Sequence, residues 1–179
     1  MEMLDATELR HFGNNKTLGI IGDKNFPFKS GPRTHASKRD ALGKVKTILN
    51  QLNPKLVYLI PHRGFEETII PLLSYLDVPY VIVNPYVGYF DDVKKSTKIK
   101  LWIALENSKS VVTIGNKVKN IMEHDDTVEE SINFILDRAD IMLCVCGPKK
   151  SGHIHRVYDK LFKRDRVIIL NYDGLPDND

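Results

Sequence analysis

Short apolar runs punctuate the chain: 17–22, 56–60, 80–83, 110–114, 141–146 and 166–170. Each is rich in Val, Ile and Leu and close to continuous rather than alternating. Strands covered on both faces read this way, and parallel sheets are covered on both faces. Between the runs the apolar spacing becomes helical. Ala41, Val45, Ile48, Leu49 and Leu52 form one stripe, with Lys44 and Lys46 off it. Residues 66–76 predict a second helix. Pro71 either kinks it or sits in the first turn of a helix that starts near Thr68 or Ile70. Residues 99–107, 127–138 and 151–163 predict three more, and Thr127 and Glu130 have capping-box spacing.

Strand and helix therefore alternate from end to end. This predicts a Rossmann-like α/β fold: a doubly wound, mostly parallel sheet of about six strands with right-handed crossovers and helices on both faces. Residues 1–179 are expected to form one such domain, with 1–16 as an N-terminal extension. Residues 23–37 interrupt the alternation as a long irregular stretch carrying Lys24, Lys29, Arg33 and His35. A loop of that length directly after the first strand points to function.

Composition narrows the classes. With 179 residues the chain can bury a full core, and 42% hydrophobic and 27% charged residues are ordinary for a globular protein. A net charge of +3 permits an anionic ligand without the dense basic face of a nucleic-acid binder. No run of about 18 apolar residues exists to span a membrane. The opening residues do not resemble a secretory signal, so a cytoplasmic location is expected. Cys144 and Cys146 are the two cysteines. They fall two apart in an apolar strand and are expected on one buried face as thiols, since zinc sites need wider spacing and more ligands.

Open α/β sheets bind ligands outside the carboxyl ends of their strands, where the strand order reverses. The segments that follow the predicted strands are therefore the candidate site. They are Gly22-Asp23-Lys24-Asn25-Phe26, then His62-Arg63-Gly64 with Glu66 and Glu67, then the segment with Tyr86, and finally Gly147 with Ser151-Gly152-His153. Glycines admit close backbone approach and helix starts offer unpaired N–H donors. Together with the cations, they point to an anionic, nucleotide-like ligand. Neither a dinucleotide fingerprint nor a Walker A loop is present. No cofactor and no metal site is expected. His153 and His155, two apart, fall on different faces of a helix.

These segments resemble the SLOG superfamily, which joins the LOG phosphoribohydrolases, the DprA/Smf proteins and the YpsA- and YspA-like proteins. The turn Gly22-Asp23-Lys24-Asn25-Phe26 is similar to the family's glycine-serine-arginine-aspartate-phenylalanine turn. Arg63-Gly64-Phe65-Glu66 stands where the family has arginine-glycine-alanine-aspartate. The run 137–143, followed by Gly147 and Ser151-Gly152-His153, matches a helix, a strand and a glycine-rich turn. Asp23-Lys24, Glu66 and Ser151-Gly152-His153 depart from the family residues. The phosphoribohydrolase signature, proline-glycine-glycine-x-glycine-threonine with a following glutamate, is not reproduced. The resemblance thus implies the fold and a nucleotide-type ligand more than it implies catalysis.

Three function classes follow. The first is binding of a nucleotide or nucleotide-derived molecule, with Glu66 as the catalytic residue should an N-glycosidic bond be hydrolysed. The second is a capture or sensor module without catalysis. The third, a DNA-processing partner similar to DprA, sits poorly with the modest charge. His62 and Arg63 could clamp a phosphate, and Glu66 and Glu67 also suit a helix start on dipole grounds. Tyr86, Tyr89 and Phe90 could stack on a ring, cover the sheet edge or form a contact in a homo-oligomer. Lys94, Lys95, Lys98 and Lys100 before Trp102 could serve a single-stranded nucleic acid, but such a stretch is more often a solvated helix face, with Trp102 expected in the core.

Overall fold

The computed structural model describes residues 14–28, 33–147, 153–161 and 163–172. Six strands form one all-parallel sheet: β1 (Thr17–Gly22), β2 (Leu56–Leu59), β3 (Tyr80–Tyr86), β4 (Ser110–Gly115), β5 (Ile141–Cys146) and β6 (Val167–Asn171). The helices between them are α1 (Arg33–Leu52), α2 (Phe65–Tyr75), α3 (Lys95–Asn107), α4 (Ile121–Arg138) and α5 (His153–Leu161). The strand order is β4-β3-β2-β1-β5-β6, so the chain winds outward from β1 to β4, then crosses back to start again at β5. This is a Rossmann-like, doubly wound α/β fold.

Alternate residues of the inner strands face opposite layers, and each layer is an apolar cluster. Leu18, Val57, Leu59, Ile82 and Leu143 pack under α1, α2 and α3. Ile21, Val83, Met142, Cys144 and Cys146 pack under α4 and α5. Cys144 and Cys146 are both buried on that second face. Burial on both sides is why the strands read as continuous apolar runs.

Several boundaries differ from the sequence expectation. Helix α1 begins at Arg33, well inside the predicted loop 23–37, because its first two turns precede the apolar stripe and give no periodic signal. Helix α4 starts six residues before Thr127. Its cap is Asn120, whose side chain accepts from the Glu123 N–H (3.0 Å), while Glu123 Oε2 accepts from the Lys119 N–H (2.7 Å). The Thr127 hydroxyl donates within the helix to the Glu123 carbonyl. Strand β3 runs on through Asn84-Pro85 to Tyr86. Pro71 lies inside α2, which starts at Phe65. Trp102, expected in the core, is 63% exposed.

Candidate functional site

The order reverses between β1 and β5, and the crevice beyond their carboxyl ends is where a doubly wound sheet presents a ligand site. The turn after β1 is tied inward. Asp23 is buried, its Oδ1 accepts from the Asn25 N–H (2.8 Å), and its carbonyl accepts from the Phe26 and Phe65 N–H groups (both 3.2 Å). Phe26 packs edge-on against Phe28 and Phe65 in the core. Lys24 and Asn25 point to solvent.

The β2–α2 turn presses against this first turn. Gly64 has φ +105°, and a Cβ there would stand 2.5 Å from the Asp23 carbonyl oxygen. Only glycine combines that φ with that approach. Gly22 is pinned similarly, since a Cβ would collide with the Phe65 ring. Gly147, after β5, faces Phe28 and the Asp23 carboxylate. Sequence-distant glycines therefore let three turns close on one another.

Glu66 occupies the centre. It is 1% exposed, its Oε1 accepts from the Gly22 N–H (3.1 Å), and its Oε2 has no hydrogen-bond partner among the described residues. His153 Nδ1 lies 3.7 Å from Oε1, and the His153 and His62 rings stack obliquely with centroids 4.3 Å apart. Burial pushes the Glu66 carboxyl up to about 7, so near neutrality much of it is protonated. Burial also drives His153 down to about 4, helped by Arg156 and His124, and lowers His62 in the same direction. The Glu66–His153 contact is therefore chiefly one between a carboxyl and a neutral imidazole, not an ion pair.

A cavity of about 460 Å³ opens from His62 and Arg63 and runs between α2 and α3. Ile70, Leu101, Ala104, Tyr80, Tyr89 and Phe90 wall it. At its charged mouth Lys100 Nζ meets Glu67 Oε1 at 3.4 Å. His62, Arg63 and Glu67 line this cavity, while Gly22–Phe26, Glu66, Gly147 and His153 do not. The candidate residues thus divide between a closed centre at the switch point and an open cavity beside it, and His62 belongs to both. Ser151 and Gly152 lie outside the described residues.

Tyr86 ends β3, where its hydroxyl pairs with His124 Nδ1 (2.8 Å). Tyr89 stacks on the same imidazole (5.9 Å, 18°), and burial raises its phenol pKa. Lys100 stands in the stretch that reads as a solvated helix face, and nothing in the sequence marks His124 as a site residue. The only clue to His124 was the Asn120 cap, which makes it part of the first turn of α4. Among the described residues, no group of three or more His, Cys, Asp or Glu side chains is placed to hold a metal, and no helix is long and apolar enough to cross a membrane. No protein-family model matches the chain, and no curated protein matches its sequence.

Proposed function

We propose that this chain captures a nucleotide-type small molecule: an anion held at the carboxyl edge by His62 and Arg63, with its ring in the cavity between α2 and α3. One observation carries this reading. The cavity, of ordinary ligand-pocket size, opens beside the strand-order switch, beyond the carboxyl ends of β2 and β3, with Arg63, Lys100 and Glu67 as its charged lining and Tyr80, Tyr89 and Phe90 as aromatic walls. The SLOG resemblance implies the same ligand class. The exposed guanidinium of Arg63 supplies the bidentate fork suited to phosphate.

The test is thermal denaturation with nucleoside monophosphates, diphosphates, cyclic nucleotides and inorganic phosphate. A ligand selective for the folded state raises the melting temperature. We expect a rise with at least one nucleotide, and Arg63→Ala should weaken its binding by about 1–3 kcal/mol. No shift with any nucleotide, or an affinity indifferent to Arg63, overturns the reading.

A second reading, N-glycosidic hydrolysis, is favoured by one feature. Glu66 is partly protonated near neutrality and its Oε2 has no hydrogen-bond partner among the described residues, as a general acid for a departing base needs. Its near-complete burial favours capture over turnover, because His62 and His153 would have to move for substrate to reach it. Chromatography of nucleotide incubations decides: we expect no free base, and release that disappears in Glu66→Gln would establish the hydrolase.

A further inference from the structure

Helix α3 is held to the sheet by little. Ala104 is its one buried residue, while Leu101 and Leu105 are half-buried beside it. Of the rest of its apolar surface, Trp102 at 63% exposure and Ile99 at 57% face outward, and Ile103, 51% exposed, sits at the border between that face and the cavity it helps line. Scattered exposed apolar residues need no explanation, but these three adjoin on one helical face. Lys95, Ile99, Trp102 and Glu106 follow the 4-3-4 spacing of a coiled-coil seam, with Ile103 alongside. Lys95 and Glu106, at the two ends of the seam, are both exposed.

The charges on α3 run against its own dipole. Its first turn carries no acid and its last turn no base. Lys94, Lys95, Lys98 and Lys100 crowd the positive N-terminal half, and Glu106 sits at the negative C-terminal end. Within one molecule that arrangement is unfavourable. It becomes favourable against an antiparallel copy of the same helix. A two-fold axis midway between residues 100 and 101 sets Lys95 opposite Glu106 of the partner subunit, and Ile99 opposite the partner subunit's Trp102. The seam is its own complement in both charge and shape, as a two-fold interface requires.

We propose that this face is a homodimer contact in which α3 packs antiparallel on α3 of a second copy. The occupant is a second copy because the charge pattern matches this helix reversed. A helix of this length spans about 20 Å, so the buried area falls at the small end of specific interfaces and the dimer is expected to dissociate in the micromolar range. Because α3 also walls the cavity, the contact braces the least anchored side of the candidate site. The inference stands on its own, whether or not the ligand is a nucleotide.

Trp102 is the sole tryptophan and therefore reports directly. Sedimentation equilibrium and tryptophan emission are measured together over roughly 1–100 µM protein, the span that brackets such a contact. We expect a monomer–dimer equilibrium accompanied by a blue shift of the emission. Trp102→Glu should weaken association by about 30-fold or more, as loss of a central anchor does. This residue is exposed, so far-UV circular dichroism should be unchanged. Lys95→Glu and Glu106→Lys should each weaken the dimer, and the double reversal should restore it. Ile121→Ser with Met122→Ser, on exposed positions of α4, should leave it intact. A wild-type chain that stays monomeric overturns the proposal, as does a dimer indifferent to Trp102. Single reversals that weaken association without rescue in the double variant overturn the antiparallel register. A monomer whose emission shifts only with a single-stranded oligonucleotide assigns the face to nucleic acid instead.

Discussion

At the residue scale, burial favours the neutral form of both Glu66 and His153, so it strengthens proton binding at the first and weakens it at the second. Glu66 titrates near 7 in the fold against an ordinary 4.5. Relative to the unfolded chain it contributes most below 4.5, and that stability is lost as pH rises through about 7. His153 titrates near 4 against an ordinary 6.5. Its contribution is present above 6.5 and lost as pH falls through about 4. Each effect is worth about 3 kcal/mol across its range, and between about pH 4.5 and 6.5 the two slopes oppose. The wild-type protein is therefore expected to show nearly level stability across that window in urea titrations. Glu66→Gln keeps an acceptor for the Gly22 N–H and removes the falling term. Its stability should climb with pH through the window and exceed wild type by up to about 3 kcal/mol at pH 8. A Glu66→Gln profile parallel to wild type at every pH would show that the carboxyl titrates as if in water. The residue types of this pair stand plainly in the sequence. Their protonation does not, because it depends on burial among groups distant in sequence, such as His62 packed against His153.

At the element scale, helix starts show where periodicity speaks and where it is silent. Thr127 and Glu130 offer a cap pattern, yet α4 is capped by Asn120 and the first turn carries the exposed Ile121 and Met122. An apolar stripe marks only the part of a helix that touches a core. The extension Ile121–Asp126 does not, so the stripe begins late. Asn120→Ala is expected to cost about 0.5–2 kcal/mol in chemical denaturation. Thr127→Ala should cost less than about 0.5 kcal/mol, since its hydroxyl serves a carbonyl already engaged in the helix. Equal costs would place the effective cap at Thr127. The polar opening turns of α1 likewise touch no apolar stripe and carry a loop-like pattern. Tryptophan usually buries its area, which points Trp102 to a core. Helix α3 presents that ring outward, and no local pattern says which face of a mixed helix meets the sheet.

At the scale of the molecule, strand order sets both stability and the place of the site. β1 and β5 lie inside the sheet with neighbours on both sides, whereas β4 and β6 are its edges. Amide hydrogen exchange is expected to be slowest in β1 and β5 and fastest among the strands in β4, whose residues are half-buried or exposed. Faster exchange in β1 than in β4 would contradict the order. The sequence by itself determined the alternation of six strands with helices, the parallel sense and the two covered faces, because period and apolar content are local and both layers leave their mark on the inner strands. It also named most of the turn residues, since glycine, proline and charge after a strand are local signs. Which turns meet was decided only by the tertiary structure. The reversal between β1 and β5 brings Gly22, Glu66, Gly147 and His153 to one crevice, and the gap between α2 and α3 makes the cavity. Both arise from how helices are spaced on a twisted sheet, a sum of long-range contacts that no short stretch of sequence encodes.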